Sequence, residues 1–391
     1  MPLGNHAPSA AAEEAPVSTH ESLADLPADV QAFLAGYGGD ELCLSRDWFD
    51  TLIRYGLPKA QRPRIYVVRE PLTRAVDCVL FAMVTDPVHS PRTLQSLANF
   101  YTMSYGPLFR RDLADRKGAL RRLARFIAGE RPKWAVIDLK GFIKEEPATA
   151  EVLDAFRRAG FLASTYFQFE NWCLPVKGVT AEEYFKSRPS QVRNTITRKG
   201  KKASKEHRVE FALYTSGSDI ATGIGDYQRI YARSWKNPES FPEFIPQLLE
   251  RFAASGNLRL GVLRIDGDPA AAQIWLVTGG RATIYKLAYD EQYAPMSVGS
   301  LLTKQMFDWV LTKDAVTVVD YGVGSEAYKR DWMSDCRHVI GLIFFNPWTL
   351  TGMAVAGRHI AGRVRDRIDL RRSRGRRLSD QSSLNAKEAT R

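Results

Sequence analysis

Two segments in the second half of this 391-residue sequence have residue types and spacing suited to binding phosphate groups. One is the loop MSVGS (residues 296–300), which joins a predicted strand to a predicted helix. Because backbone N–H groups converge at a helix N-terminus, this loop is a natural site for a pyrophosphate. The other is a predicted helix rich in cations, namely Arg188, Arg193, Arg198, Lys199, Lys201, Lys202 and Lys205.

Particular residues of these segments are candidates for binding. Gly299 allows the backbone to approach a ligand closely, and Ser297 or Ser300 could cap the helix and contact phosphate. Arg193 precedes the densest group of cations, so we expect it first to contact an anionic acceptor or a tRNA. Both segments also have plainer interpretations, because a run of cations is commonly a solvated helix face and the loop could be an ordinary connection.

The cysteines and histidines form no motif for metal binding or redox chemistry. The six histidines give neither an HExxH nor an HxH pair, and no two of the four cysteines form a CxxC pair: Cys43, Cys78, Cys173 and Cys336. We therefore expect no metal, and buried, reduced thiols in a cytoplasmic protein.

Strand and helix patterns alternate along the chain and indicate a mixed α/β fold. In the second half the predicted order is β-α-α-β-β-β-α-β-α-β, with the strand Ala282–Ala288 before the MSVGS loop and the helix Ser300–Leu311 after it. The first half repeats this order loosely and ends in an extended segment, Phe161–Pro175, that we expect to cross into the second half.

The length of the chain favours two domains rather than one core. We expect a disordered leader over residues 1–28, domains over 29–172 and 173–347, and a basic tail over 348–391. The net charge of +11 is uneven, since residues 352–391 hold eleven Arg and Lys against four Asp and Glu. No apolar run is long enough for a transmembrane helix, and the first 30 residues do not have the pattern of a signal peptide.

Four segments resemble a known branch of acyltransferases: SQVRNTITRKGKK (190–202), GVLRIDGDPAAAQIWLV (261–277), YKLAYDEQYAPMSVGSLL (285–302) and DYGVGSEAYKRDW (320–332). They are similar to the GNAT domain of CelD-type proteins of cellulose or exopolysaccharide biosynthesis. That branch is related to the Fem-type peptidyltransferases, which have two GNAT domains. The resemblance implies a mixed α/β sheet in two tandem GNAT-like domains, with the C-terminal one better matched.

The resemblance also implies roles for individual residues. The strand before the loop would pair its backbone with the pantetheine arm of an acyl-coenzyme A, which makes Leu287, Ala288, Ser297, Val298, Gly299 and Ser300 the donor site. Tyr328 would protonate the leaving thiolate, and Lys329 would contact donor or acceptor. Asp320 is the first candidate for the base, with Glu326 and Asp290 as alternatives, and Tyr285 and Lys286 could contact the acyl group or the acceptor. Each of these side chains could instead be structural.

Three functions follow from this resemblance. The first is acetyl transfer from acetyl-CoA to an amine or hydroxyl of a sugar-linked envelope or exopolysaccharide intermediate. The second is Fem-like transfer from an aminoacyl-tRNA, which suits a loop with few glycines and no initial Gln or Arg. The third is a non-catalytic scaffold of a polysaccharide-synthesis complex. We expect a cytoplasmic protein whose basic tail meets the anionic inner face of a membrane, and no nucleic acid partner other than tRNA.

Overall fold

The computed structural model describes residues 16–37, 41–85 and 91–362, in which strands and helices alternate. The strands are β1 (Val17–His20), β2 (Gln61–Arg69), β3 (Val76–Thr85), β4 (Thr93–Ser96), β5 (Leu108–Phe109), β6 (Val136–Ile143), β7 (Leu162–Pro175), β8 (Val209–Tyr214), β9 (Leu258–Ile265), β10 (Asp268–Thr278), β11 (Arg281–Tyr289), β12 (Val318–Val323) and β13 (Asp335–Phe345).

The helices begin at polar residues or prolines that suit helix starts. Ser45 caps α2 by accepting a hydrogen bond from the Trp48 amide, and Thr180 and Glu183 form a capping box at α5. The helices are α1 (Ala28–Gly36), α2 (Arg46–Tyr55), α3 (Arg116–Gly129), α4 (Pro147–Arg158), α5 (Ala181–Ser187), α6 (Ser190–Glu206), α7 (Ile220–Ala232), α8 (Phe244–Ala254), α9 (Val298–Thr312), α10 (Lys329–Trp332) and α11 (residues 350–362).

All the described strands belong to one continuous mixed sheet. Along the sheet their order is β1-β2-β3-β4-β6-β13-β7-β12-β11-β10-β9-β8, and β5 pairs with β3. Each half contributes an antiparallel group of strands followed by one parallel pair, β4 with β6 in the first half and β11 with β12 in the second. The repeated order confirms the expected fold of two tandem GNAT-like halves.

The two halves exchange their last strands at the centre of the sheet. β7 ends the first half but pairs with β12 of the second, and β13 ends the second half but pairs with β6 of the first. β7 and β13 also pair with each other along almost their whole lengths. The boundary predicted at residues 172 and 173 therefore falls inside β7, and each half completes the sheet of the other.

One apolar core also crosses between the halves. Trp48 on α2 meets Phe244 on α8 edge-on at a ring distance of 5.7 Å, and Tyr101 stacks on the other side of Phe244 at 4.2 Å. Arg251 of α8 adds an ion pair to Asp47, at 3.3 Å. Because the three aromatic residues are buried in one core, the halves pack as a single unit.

The predicted ends of the chain need correction. Residues 17–20 form β1, which pairs with β2, so an ordered strand lies inside the segment predicted to be a disordered leader. Residues 350–362 of the predicted tail form α11, which packs Ala356 against Ala135 and Phe345. The other residues of the predicted leader and tail, 1–15 and 363–391, lie outside the described residues. No helix within the described ranges is long and apolar enough to cross a membrane.

The crossing of β7 and β13 should not tolerate added volume. A Cβ at Gly341 would lie 2.2 Å from Cζ of Tyr166, whose hydroxyl donates to Asp138 at 2.5 Å. We expect Gly341→Ala to lower the free energy of unfolding by about 1–3 kcal/mol in urea denaturation, because the ring must move. The control Gly225→Ala, on an open face of α7, should raise it by up to about 1 kcal/mol. Equal stability of the two variants would contradict the tight crossing.

Candidate functional site

The sheet opens between β11 and β12. The two strands pair in parallel only from Arg281 to Thr283, opposite Val318 to Asp320, and then separate. Past this point one edge of β11 has no strand beside it in the described residues. Met103 of the first half lies at the fork, where a Cβ built on Gly322 would be 2.9 Å from its sulfur. Backbone groups on this edge of β11 are therefore not used by a neighbouring strand within the described residues.

A cavity of about 390 Å³ lies on one side of the fork. Its floor includes Leu287 and Tyr289 of β11 and Gly299 and Ser300 at the start of α9. Residues of α6 and of the segment 321–332 complete its lining: Gln191, Val192, Thr195, Ile196, Tyr321, Tyr328, Asp331 and Trp332. This volume and mixed lining are those of a small-molecule site.

The first turn of α9 lines the cavity. Ser297 has a left-handed conformation (φ 58°), and its side chain makes no capping hydrogen bond to the helix. Gln273, a buried residue of β10, links the first turn of α9 to the sheet. It donates to the Gly299 carbonyl at 3.1 Å and to Thr303 Oγ1 at 2.7 Å. Lys199 of α6 donates to the Pro295 carbonyl at 2.6 Å, so it brings an ammonium group to the same loop. The loop therefore combines helix amides with a nearby cation.

A second cavity, of about 180 Å³, lies on the other side of the fork and contains residues of both halves. The first half supplies Phe100, Tyr101 and Met103. The second half supplies Lys236, Ile284, Tyr285, Lys286, Leu287, Tyr321, Val323, Glu326, Tyr328 and Lys329. Leu287, Tyr321 and Tyr328 line both cavities, so the two spaces meet at these three side chains.

Tyr328 has a hydroxyl suited to donating a proton at this junction. Its ring meets the buried Tyr321 edge-on at 5.7 Å, while 42% of the residue remains exposed. Burial, followed by the nearby Glu326 carboxylate, raises the pKa of Tyr328 to about 12. The phenol is therefore protonated at neutral pH.

Three lysines give the second cavity its cationic character. Lys286 pairs with Glu239 and lies 5.0 Å from the Tyr101 ring centre, and Lys329 pairs with Glu326 at 2.9 Å. Burial lowers the pKa of Lys236, Lys286 and Lys329, since each ammonium is removed from water. Three ammonium groups face two carboxylates here, which leaves a positive balance for an anionic ligand.

Asp320 is not placed as a base. Its buried carboxylate accepts hydrogen bonds from Asn171 Nδ2 at 2.6 Å and from the Gly322 amide at 2.9 Å. It also pairs with Arg337 at 2.8 Å and Arg281 at 3.2 Å. Neither large cavity contains it, because it lies on the face of β12 opposite Tyr321. The alternative Asp290 is also buried, beside Arg233 at 3.4 Å, whereas Glu326 lines the second cavity.

Four other predicted residues lie beside the cavities without lining them. The Arg193 guanidinium donates to the Arg188 carbonyl at 3.0 Å and so joins α6 to the end of α5. Ala288 and Val298 have buried side chains in the apolar cores, and Ser297 supplies the turn rather than a contact. Tyr285 and Lys286 line the second cavity, and Leu287, Gly299 and Ser300 line the first.

Sequence reasoning missed several residues of the site. Tyr101 and Phe100 come from the first half, about 185 residues from Tyr285 in the chain, so no local pattern connects them. Trp235 and Lys236 lie in the loop between α7 and α8, and Trp235 is exposed there. The signal available in the sequence was a Trp next to a Lys. Gln273 could have been suspected because it is the polar residue in an otherwise apolar run, AAAQIWLV.

The first half has a cavity at the corresponding place. Its volume is about 340 Å³, and it lies between the loop before α3, the end of β6 and the start of α4. Arg110, Arg111 and Arg116 line it together with Glu41 and Glu146. Both halves therefore keep an opening where their parallel strands separate. Across the described residues, no group of His, Cys, Asp and Glu has the arrangement of a metal site.

The family comparison covers the part of the chain that forms this fork. Residues 190–330 match the family model described as an acetyltransferase (GNAT) domain. The second half of the chain contains a GNAT domain. Proteins with such domains are generally acyltransferases. The matched range includes α6, β11, the MSVGS loop, α9, Tyr321 and Tyr328, so both cavities lie largely within the GNAT domain.

Comparison with solved structures extends the likeness to most of the chain. FemX has a TM-score of 0.58 at 10% identity, over 84% of this chain and 97% of that chain. L-PGS from Bacillus licheniformis has a TM-score of 0.51 at 12% identity, over 84% and 96%. At these identities the likeness concerns the fold. No curated protein matches the sequence.

Replacement of Asp320 should affect folding more than chemistry. We expect Asp320→Ala to lower the free energy of unfolding by about 3–5 kcal/mol, because it takes the shared carboxylate from the largely buried Arg337 and Arg281. Urea denaturation would measure this loss. The control Asp112→Ala removes a carboxylate that is 77% exposed and should cost about 0–1 kcal/mol. A stable Asp320→Ala protein would contradict this structural role.

Proposed function

We propose that the chain is an acyltransferase whose donor occupies the larger cavity and whose acceptor occupies the smaller one. The observation that carries the proposal is that two cavities of different lining meet at Leu287, Tyr321 and Tyr328. A transferase must bring two molecules together at one point, and holding them there supplies much of the rate enhancement.

The preferred donor is acetyl-CoA or another acyl-CoA. The fork leaves backbone groups of β11 free to pair with an amide-containing arm, and the start of α9 with Lys199 suits a pyrophosphate. Gly299 supports this fit, because a Cβ there would already lie 3.3 Å from the Tyr289 ring. When bound, an acyl thioester supplies an activated carbonyl carbon.

The residues at the junction can move the protons that acyl transfer requires. An amine or hydroxyl of the acceptor forms the new bond to the acyl carbon, and the carbon–sulfur bond breaks. The Tyr328 phenol donates its proton to the leaving sulfur, and Glu326 is the carboxylate that can accept the proton of the acceptor. Lys329 holds the turn before α10 by donating to the Val323 carbonyl, so it positions Tyr328.

We propose an acceptor from the sugar-linked intermediates of envelope or exopolysaccharide synthesis, as in the CelD-type resemblance. Support comes from the aromatic and cationic lining of the smaller cavity, which suits a sugar carrying an anionic group. A second candidate is Fem-like transfer from an aminoacyl-tRNA. The exposed cations of α6, such as Arg198, Lys201 and Lys202, favour it because they lie beside the donor cavity.

A large side chain at Gly299 should block donor binding. We expect titration calorimetry to show micromolar binding of acetyl-CoA to the unmodified protein and none to Gly299→Trp, because the indole would fill the cavity. Gly225→Trp, on the open face of α7, is the matched control and should bind normally. Binding to Gly299→Trp would place the donor elsewhere. If neither protein binds acetyl-CoA while tRNA binds, the aminoacyl-tRNA donor takes its place.

The phenol of Tyr328 should contribute to turnover but not to folding. We expect Tyr328→Phe to lower kcat by about 10²-fold, the lower end of general acid catalysis, with an unchanged melting temperature. Because its pKa is about 12, ionisation of Tyr328 should not reduce the rate of the unmodified enzyme between neutral pH and pH of about 9. Tyr293→Phe, which removes a hydroxyl outside both cavities, is the control. Full activity of Tyr328→Phe would remove the phenol from the mechanism.

A further inference from the structure

The helix α11 has two apolar faces, and only one of them is covered. Gly352 and Ala356 face the sheet, where a Cβ at Gly352 would lie 2.7 Å from the Ala135 carbonyl oxygen. His359 extends this contact with a hydrogen bond of 3.0 Å to Ser164. The covered face therefore fixes the orientation of the helix on the protein.

The opposite face is exposed and apolar. Its residues follow helical spacing and none is charged or strongly polar: Leu350, Met353, Ala354, Gly357, Ile360 and Ala361. Leu350 is 93% exposed, Ile360 is 58% exposed and Met353 is 47% exposed. Residues of this size are rarely so exposed in a row, and such a patch commonly marks a binding surface.

An exposed Trp extends this surface at the start of the helix. Trp348 is 77% exposed, and its indole nitrogen would be 3.9 Å from a Cβ at Gly160. Arg157, in the last turn of α4, is an exposed cation three residues before that glycine. Exposed Trp and Arg side chains are typical of the boundary between lipid tails and headgroups.

The chain that follows the helix carries a strong positive charge. Residues 363–391 contain ten Arg and Lys against four Asp and Glu. This charge begins directly after the apolar face ends, and Arg358 lies on the side of α11 itself. Among possible occupants of the face, an anionic bilayer surface matches both features, because it takes up apolar side chains and attracts cations.

We propose that the exposed face of α11, with Trp348, inserts into the surface of an anionic membrane, while residues 363–391 attract its lipid headgroups. The helix lies in the plane of the membrane surface rather than crossing it. This inference does not depend on the donor or on the chemistry of the two cavities.

Sedimentation with lipid vesicles tests the proposal. The full chain is mixed with vesicles of phosphatidylcholine alone or of phosphatidylcholine with phosphatidylglycerol, and the bound fraction is measured at rising salt. We expect binding to the phosphatidylglycerol vesicles and little to the others. Leu350→Asp with Met353→Asp should weaken binding by roughly tenfold or more, since each apolar side chain contributes through burial.

Matched variants separate the two contributions. Leu72→Asp, at a leucine 89% exposed on the turn between β2 and β3, should bind as the unmodified protein does. A chain ending at residue 362 keeps α11 and should lose most of the salt dependence of binding. The melting temperatures of the substitution variants should be unchanged, because Leu72, Leu350 and Met353 are exposed.

Three results would overturn the proposal. One is unchanged vesicle binding of the Leu350→Asp, Met353→Asp protein, which would leave the apolar face without a role. Another is that the unmodified protein does not bind vesicles but forms a dimer, and that the Leu350→Asp, Met353→Asp substitutions dissociate this dimer. That result would assign the face to a second copy of the chain. The third is binding to vesicles without phosphatidylglycerol at the same strength, which would remove the electrostatic part.

Discussion

A buried group of charges at the crossing of β7 and β13 holds the two halves in one sheet. Asp320 of β12 is its centre, with Arg281 from β11, Arg337 from β13 and Asn171 from β7 around it. Glu41 of the first half completes it by pairing with Arg281 at 3.2 Å. Because a buried charge without its partner costs several kcal/mol, these side chains fix which strands can lie side by side.

The same group of charges shapes the site on the other face of the sheet. Asp320 accepts a hydrogen bond from the Gly322 amide and Asn171 donates to the Gly322 carbonyl, so together they hold an irregularity between β12 and β7. Tyr321, which lies between Asp320 and Gly322 in the chain, is thereby directed to the junction of the cavities. The turn that follows leads to Tyr328, and Lys329 stabilises that turn by donating a hydrogen bond to the Val323 carbonyl. The buried Asp320 carboxylate and the Tyr321 ring thus lie on opposite faces of one short strand.

Much of the fold could be predicted from the sequence, but less of the site. Local patterns predicted the strand Ala282–Ala288, which lies within β11, and the helix Ser300–Leu311, which lies within α9. Short β1 and β4 carry too few residues for a pattern. The role of Asp320 could not be foreseen, because its arginine partners are distant in sequence. Likewise, periodicity cannot show that Tyr101 of the first half meets Lys286 of the second.

The exchange of β7 and β13 has a consequence for the order in which the chain can fold during synthesis. The first half of the sheet lacks a neighbour for β6 until β13 has been made, and β13 ends only at Phe345. Until then β6 presents an unpaired edge, and the apolar residues that α4 and β13 share, such as Phe156 and Phe344, are incompletely covered. Newly made chains therefore pass through a long interval in which a nearly finished first domain is open to association with other chains.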